Sequence, residues 1–170
     1  MFPGTGGDPV PNRHPRGTVL YDAVYLAATE ELAHEAGRKA MILLTDGADF
    51  GSRVKLEEAI EAAQKADTIC YVLLLLDRSA YGYGFGFGYP GSGEVKKLAE
   101  QTGGRVIDVG NKPEKLKEAF DQIANELRSQ YSLGYTPTNN QHDGSFRKIE
   151  IKSHKGYKIQ ARRGYYSRTQ

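Results

Sequence analysis

Two short, uninterrupted apolar runs, residues 40–45 and 69–76, constrain this chain more than any other feature. Each has the length of a strand, each stops on an aspartate (Asp46 and Asp77), and each leads toward a helical pattern instead of a partner strand. A strand that is apolar at successive positions buries both of its faces, which is the habit of parallel sheets covered by helices. The rest of the chain agrees with that reading. Residues 19–36 set Val19, Leu20, Ala23, Val24, Ala27 and Leu32 at helical spacing, with Thr18 able to cap the start and Gly37 able to end it. Helices are expected at 53–66 and 94–101, a third strand at 105–109, and a last helix at 114–128 opened by Pro113. The alternation predicts an α/β fold: a Rossmann-like parallel sheet with flanking helices and right-handed crossovers.

The last forty residues differ in kind. Residues 131–135 have strand composition and 136–145 are rich in turn formers. Ile149 and Ile151 alternate with charged residues, and Tyr157, Ile159 and Ala161 with Lys158, Gln160 and Arg162, on either side of His154-Lys155-Gly156. That pattern predicts a C-terminal antiparallel β-hairpin with one face turned inward. The expected organisation is therefore a proline- and glycine-rich flexible segment at 1–17, the α/β body at 18–130, and a β extension of the same domain at 131–170.

Bulk properties remove several classes of function. At 170 residues the chain can bury a core without a disulfide or structural metal. Its single cysteine, Cys70, lies inside the second apolar run, where a thiol behaves as a small hydrophobe. No run approaches the ~20 apolar residues of a membrane span, and the first residues have neither the basic nor the apolar region of a secretory signal. A net charge of +2 does not call for a polyanion. Arg147, Lys148, Lys152, Lys155, Lys158, Arg162, Arg163 and Arg168 concentrate positive charge near the end, which reads as the solvated face of the hairpin, with no nucleic-acid partner expected.

Chemistry in an open parallel sheet gathers at the carboxyl ends of its strands. After the first strand come Thr45-Asp46-Gly47-Ala48-Asp49, and upstream stands Gly17-Thr18 entering a helix. A strand-end carboxylate and a threonine hydroxyl suit a hard cation such as Mg2+; alone, the same residues are equally a turn former and a helix cap. After the second strand, Tyr81, Tyr83, Phe85, Phe87 and Tyr89 alternate with glycines. This ribbon is a possible ligand-contact loop at the same rim, or a cover for the sheet edge. It also contains Gly86, Gly88 and Gly91 in the spacing of a dinucleotide-binding fingerprint, with Asp108 downstream. Against a nucleotide-binding enzyme stand the distance from the strand end, Pro90, and a helix expected to start only near Glu94. After the third strand, Asp108 and Asn111 form no recognised constellation, and no catalytic set is visible in the sequence.

Taken together, Gly17-Thr18, the wording Leu20-Tyr21-Asp22-Ala23, the strand end Thr45-Asp46-Gly47-Ala48-Asp49, Gln130-Tyr-Ser-Leu-Gly-Tyr135 and Ala161-Arg-Arg-Gly-Tyr-Tyr166 resemble a bacterial, VWFA-related branch of the von Willebrand factor type A domains. The resemblance spans about residues 17–166. It implies a metal-ion-dependent adhesion site in which Thr18 and Asp46 hold Mg2+ (or Mn2+ or Ca2+), and a protein partner whose acidic side chain completes the coordination. It also implies a binding module, not an enzyme, in a secreted or cell-envelope setting. The family's opening strand, ending Asp-x-Ser-x-Ser, has no counterpart before Thr18; Asp77-Arg78-Ser79-Ala80-Tyr81 follows the wrong strand. The expectation is thus an N-terminally truncated domain with an incomplete metal site, weak or absent metal binding, and strand 40–45 exposed at a sheet edge, open to homodimer formation, to cover by residues 1–17 or to aggregation. A vestigial, purely structural site is the remaining alternative.

Overall fold

A computed structural model describes residues 18–75 and 91–169. Within them the chain is a mixed α/β protein whose elements alternate as the apolar runs require. Strands β1 (Lys39–Thr45), β2 (Thr68–Leu74) and β3 (Val106–Asp108) form a parallel sheet in that spatial order, with Thr45 opposite Leu74 and Leu74 opposite Asp108. Helices α1 (Leu20–Leu26), α2 (Leu56–Lys65) and α3 (Ser92–Thr102) cover one face, and α4 (Pro113–Arg128) covers the other.

The central strand accounts for the two-sided core. Cys70 and Val72 of β2 pack with Val24, Leu56, Leu98 and Val95 beneath α1–α3, while Tyr71 and Leu73 pack with Ala119 and Ile123 of α4. Every residue from Cys70 to Leu74 is buried, so β2 has no solvent face and can tolerate no polar alternation. Burial of the Cys70 thiol pushes its pKa up to about 11. Tyr71, buried beside Glu126, has its hydroxyl pushed up to about 12, by burial first. The crossover from α3 to β3 turns at Gly103 and Gly104. A methyl group on Gly104 would lie 1.9 Å from the Cys70 carbonyl oxygen, so only glycine allows the backbone to enter β3 this closely.

Several expectations require correction. The helix expected over 19–36 is α-helical only to Leu26, then widens to a π-helix at Ala27–Glu31 and tightens to a 3-10 turn at Leu32–His34. The Thr29 hydroxyl donates to the Tyr25 carbonyl at 2.9 Å, a side-chain competitor for a helical acceptor within the disturbed stretch. Helix α3 begins at Ser92, not near Glu94, and the strand expected at 131–135 is absent: Tyr131, Leu133 and Tyr135 are 92, 73 and 61 % exposed. The antiparallel pair forms outside the expected hairpin arms, between β4 (Phe146–Lys148) and β5 (Gly164–Tyr166). Its ends are tied by Asp143, which accepts from the hydroxyls of Ser145 and Ser167 at 2.7 and 2.8 Å. Residues 149–162 are not strand except for the bond from Ile149 N–H to the Arg163 carbonyl. Ile151 and Ile159 are 41 % and Tyr157 71 % exposed, so the period-two pattern lacks the burial that would fix a ladder.

Candidate functional site

The rim at the carboxyl end of β1 is built from the segment between β1 and α2 and from the start of α1. The Phe50 N–H donates to the Thr18 carbonyl at 2.9 Å, which holds Thr18 against the loop that begins at Asp46. Asp49 accepts the Tyr21 N–H at 3.1 Å and the Ser52 hydroxyl at 2.5 Å on one carboxylate oxygen, and the Ser52 N–H on the other. The Ser52 oxygen accepts in turn from the N–H groups of Tyr21 and Asp22. These acceptors satisfy the first amides of α1, which has no side-chain cap of its own. Thr18 is therefore not the cap that its position suggested. Asp22 reciprocates by accepting from Arg53 and Val54 N–H, both at 2.8 Å, just before α2.

Asp46 stands apart from this network. It is exposed, and its carboxylate accepts the Ala48 N–H at 3.3 Å in a local turn closure. Thr45 is buried and takes the Gly47 N–H on its hydroxyl at 3.0 Å. Of the acids at this rim, Asp22 and Asp49 are thus engaged in holding helices, while Asp46 faces water. Carboxylates neighbour the Tyr21 side chain. Burial raises the Tyr21 hydroxyl pKa, and the carboxylates of Glu94, Asp49 and Glu57 raise it further.

Gly91 connects the rim to α3. It has φ +86°, and a methyl group there would lie 1.9 Å from the Gly47 carbonyl oxygen. The backbone that follows Asp46 therefore lies directly against Gly91. Helix α3 starts directly after Gly91, earlier than the sequence suggested. Gly86, Gly88 and the aromatic residues Tyr81, Tyr83, Phe85, Phe87 and Tyr89 lie outside the described residues, as does the segment 1–17. Asp108 receives the Gly110 N–H at 3.1 Å in a local turn.

Thr18 and Asp46 share the rim, Thr18 through its backbone and Asp46 through its place at the strand end. Asp49, Ser52 and Glu94 went unrecognised in the sequence. The signal for Asp49 and Ser52 was available: two hydrogen-bond acceptors in the loop after a strand end, beside a helix that begins without its own cap. Among the described residues no group of three or more His, Cys, Asp or Glu side chains could hold a metal ion, and no helix is long and apolar enough to cross a membrane.

No known protein family and no curated protein matches the chain. Among solved structures it is similar to a protein described as an uncharacterized membrane spanning protein from Vibrio fischeri, with 21% identity and a TM-score of 0.41. That similarity covers 53% of this chain and 47% of the other, about half the length of each.

Proposed function

We propose that this chain is a divalent-cation-dependent binding module of the von Willebrand A type, in which Asp46 and Thr18 contribute ligands for Mg2+ or Mn2+ and an acidic side chain of a protein partner completes the shell. The observation that carries this reading is the division of labour among the rim carboxylates. Asp22 and Asp49 are committed to backbone amides, whereas Asp46 is exposed at the strand end with one local bond. A carboxylate and a hydroxyl are hard oxygen donors suited to Mg2+, which keeps several waters and needs few protein ligands. The negative surroundings of Tyr21 favour a cation there over a nucleotide phosphate. Thr18 and Asp46 supply too few oxygens to bind a cation tightly, so the metal is held weakly until a partner contributes.

Calorimetry on the whole chain tests the reading. Weak binding of Mg2+ or Mn2+ that disappears in Asp46→Ala, with no heat from NAD, is the expected result. Cation binding that survives Asp46→Ala, or NAD binding, would overturn it in favour of another site or of a nucleotide enzyme.

A further inference from the structure

Among the described residues the first strand lies at the edge of the sheet, and its open side is complementary to itself. Leu75 N–H donates to the Thr45 carbonyl, so Thr45 and every second residue before it (Leu43, Met41, Lys39) direct their backbone groups at β2. Ala40, Ile42 and Leu44 therefore direct theirs outward, where they have no partner among the described residues. The same three residues share the face covered by α4, since Ala40 packs with the Tyr71, Leu73 and Ile123 cluster while Met41 and Leu43 pack beneath α1–α3. On that face Ile42 and Leu44 remain 38 and 53 % exposed. Its Gln122 contacts Arg105 beside β3. Phe120, about 200° around the helix from Gln122, is thus on the flank turned toward β1, and it is 45 % exposed. The strand carries no proline or bulge, and its one charge is Lys39 at the first position, so it lacks most of the devices that keep edges from pairing.

We propose that β1 pairs antiparallel with β1 of a second copy of this chain, about a twofold axis at Ile42. That register sets Ile42 opposite its own copy and Ala40 opposite Leu44, all of them residues with outward backbone groups, as the hydrogen-bonded pairs of an antiparallel ladder require. It also sets Arg38 opposite Asp46 at both ends, on the same face as the apolar pairs. Both residues are exposed, so each end of the ladder gains an opposite-charge pair. The charge match is specific to this register: a slip of two residues in the pairing separates Arg38 from Asp46 and takes Ile42 off the axis. Pairing joins two three-stranded sheets into one continuous sheet. It also turns the uncovered Ile42 and Leu44 of each copy into a shared apolar strip between the two α4 helices.

Light scattering on the full chain across a dilution series, with chelator present so that no cation occupies Asp46, tests the proposal independently of the metal site. The expected mass is twice the 18.8 kDa of the single chain, with slow hydrogen exchange at the Ile42 and Leu44 amides. Ile42→Lys should halve the mass and speed that exchange. Arg38→Asp and Asp46→Arg should each weaken the dimer at least tenfold, and the two together should restore it. The proposal fails if the chain stays at 18.8 kDa throughout, if Ile42→Lys remains a dimer, or if the charge swap does not restore pairing. Slow exchange at Ile42 in a monomer would assign the edge to another part of the same chain and overturn it as well.

Discussion

The carboxylate of Asp49 accepts the backbone N–H of Tyr21 at 3.1 Å, across 28 residues of chain. Through this bond the loop after β1 supplies the cap that α1 lacks, and the helix start is fixed to the strand end it stands beside. The rim therefore gets its shape from a structural aspartate, Asp49, while its neighbour Asp46 is left exposed.

Separate roles for the two aspartates give separable phenotypes. Asp49→Ala removes one of the two acceptors of the Tyr21 amide and the acceptor of both Ser52 groups, and loss of a helix cap costs about 1 kcal/mol, up to about 2. A thermal melt of this variant should fall by several degrees. Asp46→Ala gives up one local turn bond at an exposed position and should melt within about 0.5 kcal/mol of the parent. Equal losses in the two variants would show that Asp46 is structural too.

The two close glycine approaches predict a larger loss. Gly104→Ala drives a methyl group to 1.9 Å from the Cys70 carbonyl, and Gly91→Ala does the same against Gly47 while also holding φ at +86°. Neither neighbour is a side chain that can swing away. Each substitution should cost roughly 2 kcal/mol or more, read as a shift of the urea midpoint. Gly93→Ala, which meets nothing within 4 Å, is the control and should be neutral or slightly stabilising because alanine favours the helix. If Gly91→Ala is as mild as Gly93→Ala, the rim does not pack against α3 as described.

How much of this was legible beforehand varies with the physics involved. β1, β2 and α4 could be read because burial on two faces, or on one stripe, leaves a composition that few other arrangements tolerate. The hairpin expected on either side of His154-Lys155-Gly156 does not form, because alternation fixes a strand only when there is something to cover its apolar face. Tyr157 and Ile159 remain exposed. Asp46 was legible from its place at a strand end. The capping by Asp49 and Ser52 depends on two segments about thirty residues apart meeting, and the rim's negative charge depends on Glu94 arriving from α3; neither proximity leaves a mark on the local sequence.

A backbone position of a different kind sits between α2 and β2. Asp67 has φ +53°, the one positive value among the described non-glycine residues, and its carboxylate meets the Arg162 guanidinium at 2.5 Å. Asn tolerates this conformation almost as well as Asp, whereas a β-branched residue does not. Asp67→Asn therefore loses an exposed ion pair alone and should change stability by less than about 1 kcal/mol. Asp67→Val should cost at least 1 kcal/mol more. Chemical denaturation of the pair decides it, and equal costs would place the whole effect in the contact with Arg162.

The buried thiol makes the protein sensitive to alkali. Burial pushes the Cys70 pKa from its ordinary 9.0 to about 11. Below pH 9 the thiol is protonated in both the folded and unfolded chains and contributes no pH dependence. Above it the unfolded chain ionises first, so the unfolded state gains free energy and stability falls until the folded thiol also titrates near pH 11. At about 1.4 kcal/mol per pH unit, the fall attributable to this group over that window is roughly 2–3 kcal/mol. Cys70→Ala creates a small void and lowers stability at neutral pH, yet it should flatten the profile between pH 9 and 11 relative to the parent. Urea midpoints measured across that range for both proteins check the sign. Parallel profiles would mean that Cys70 is not protected from solvent, and a thiol reagent at pH 8 would then label the folded chain as fast as the unfolded one.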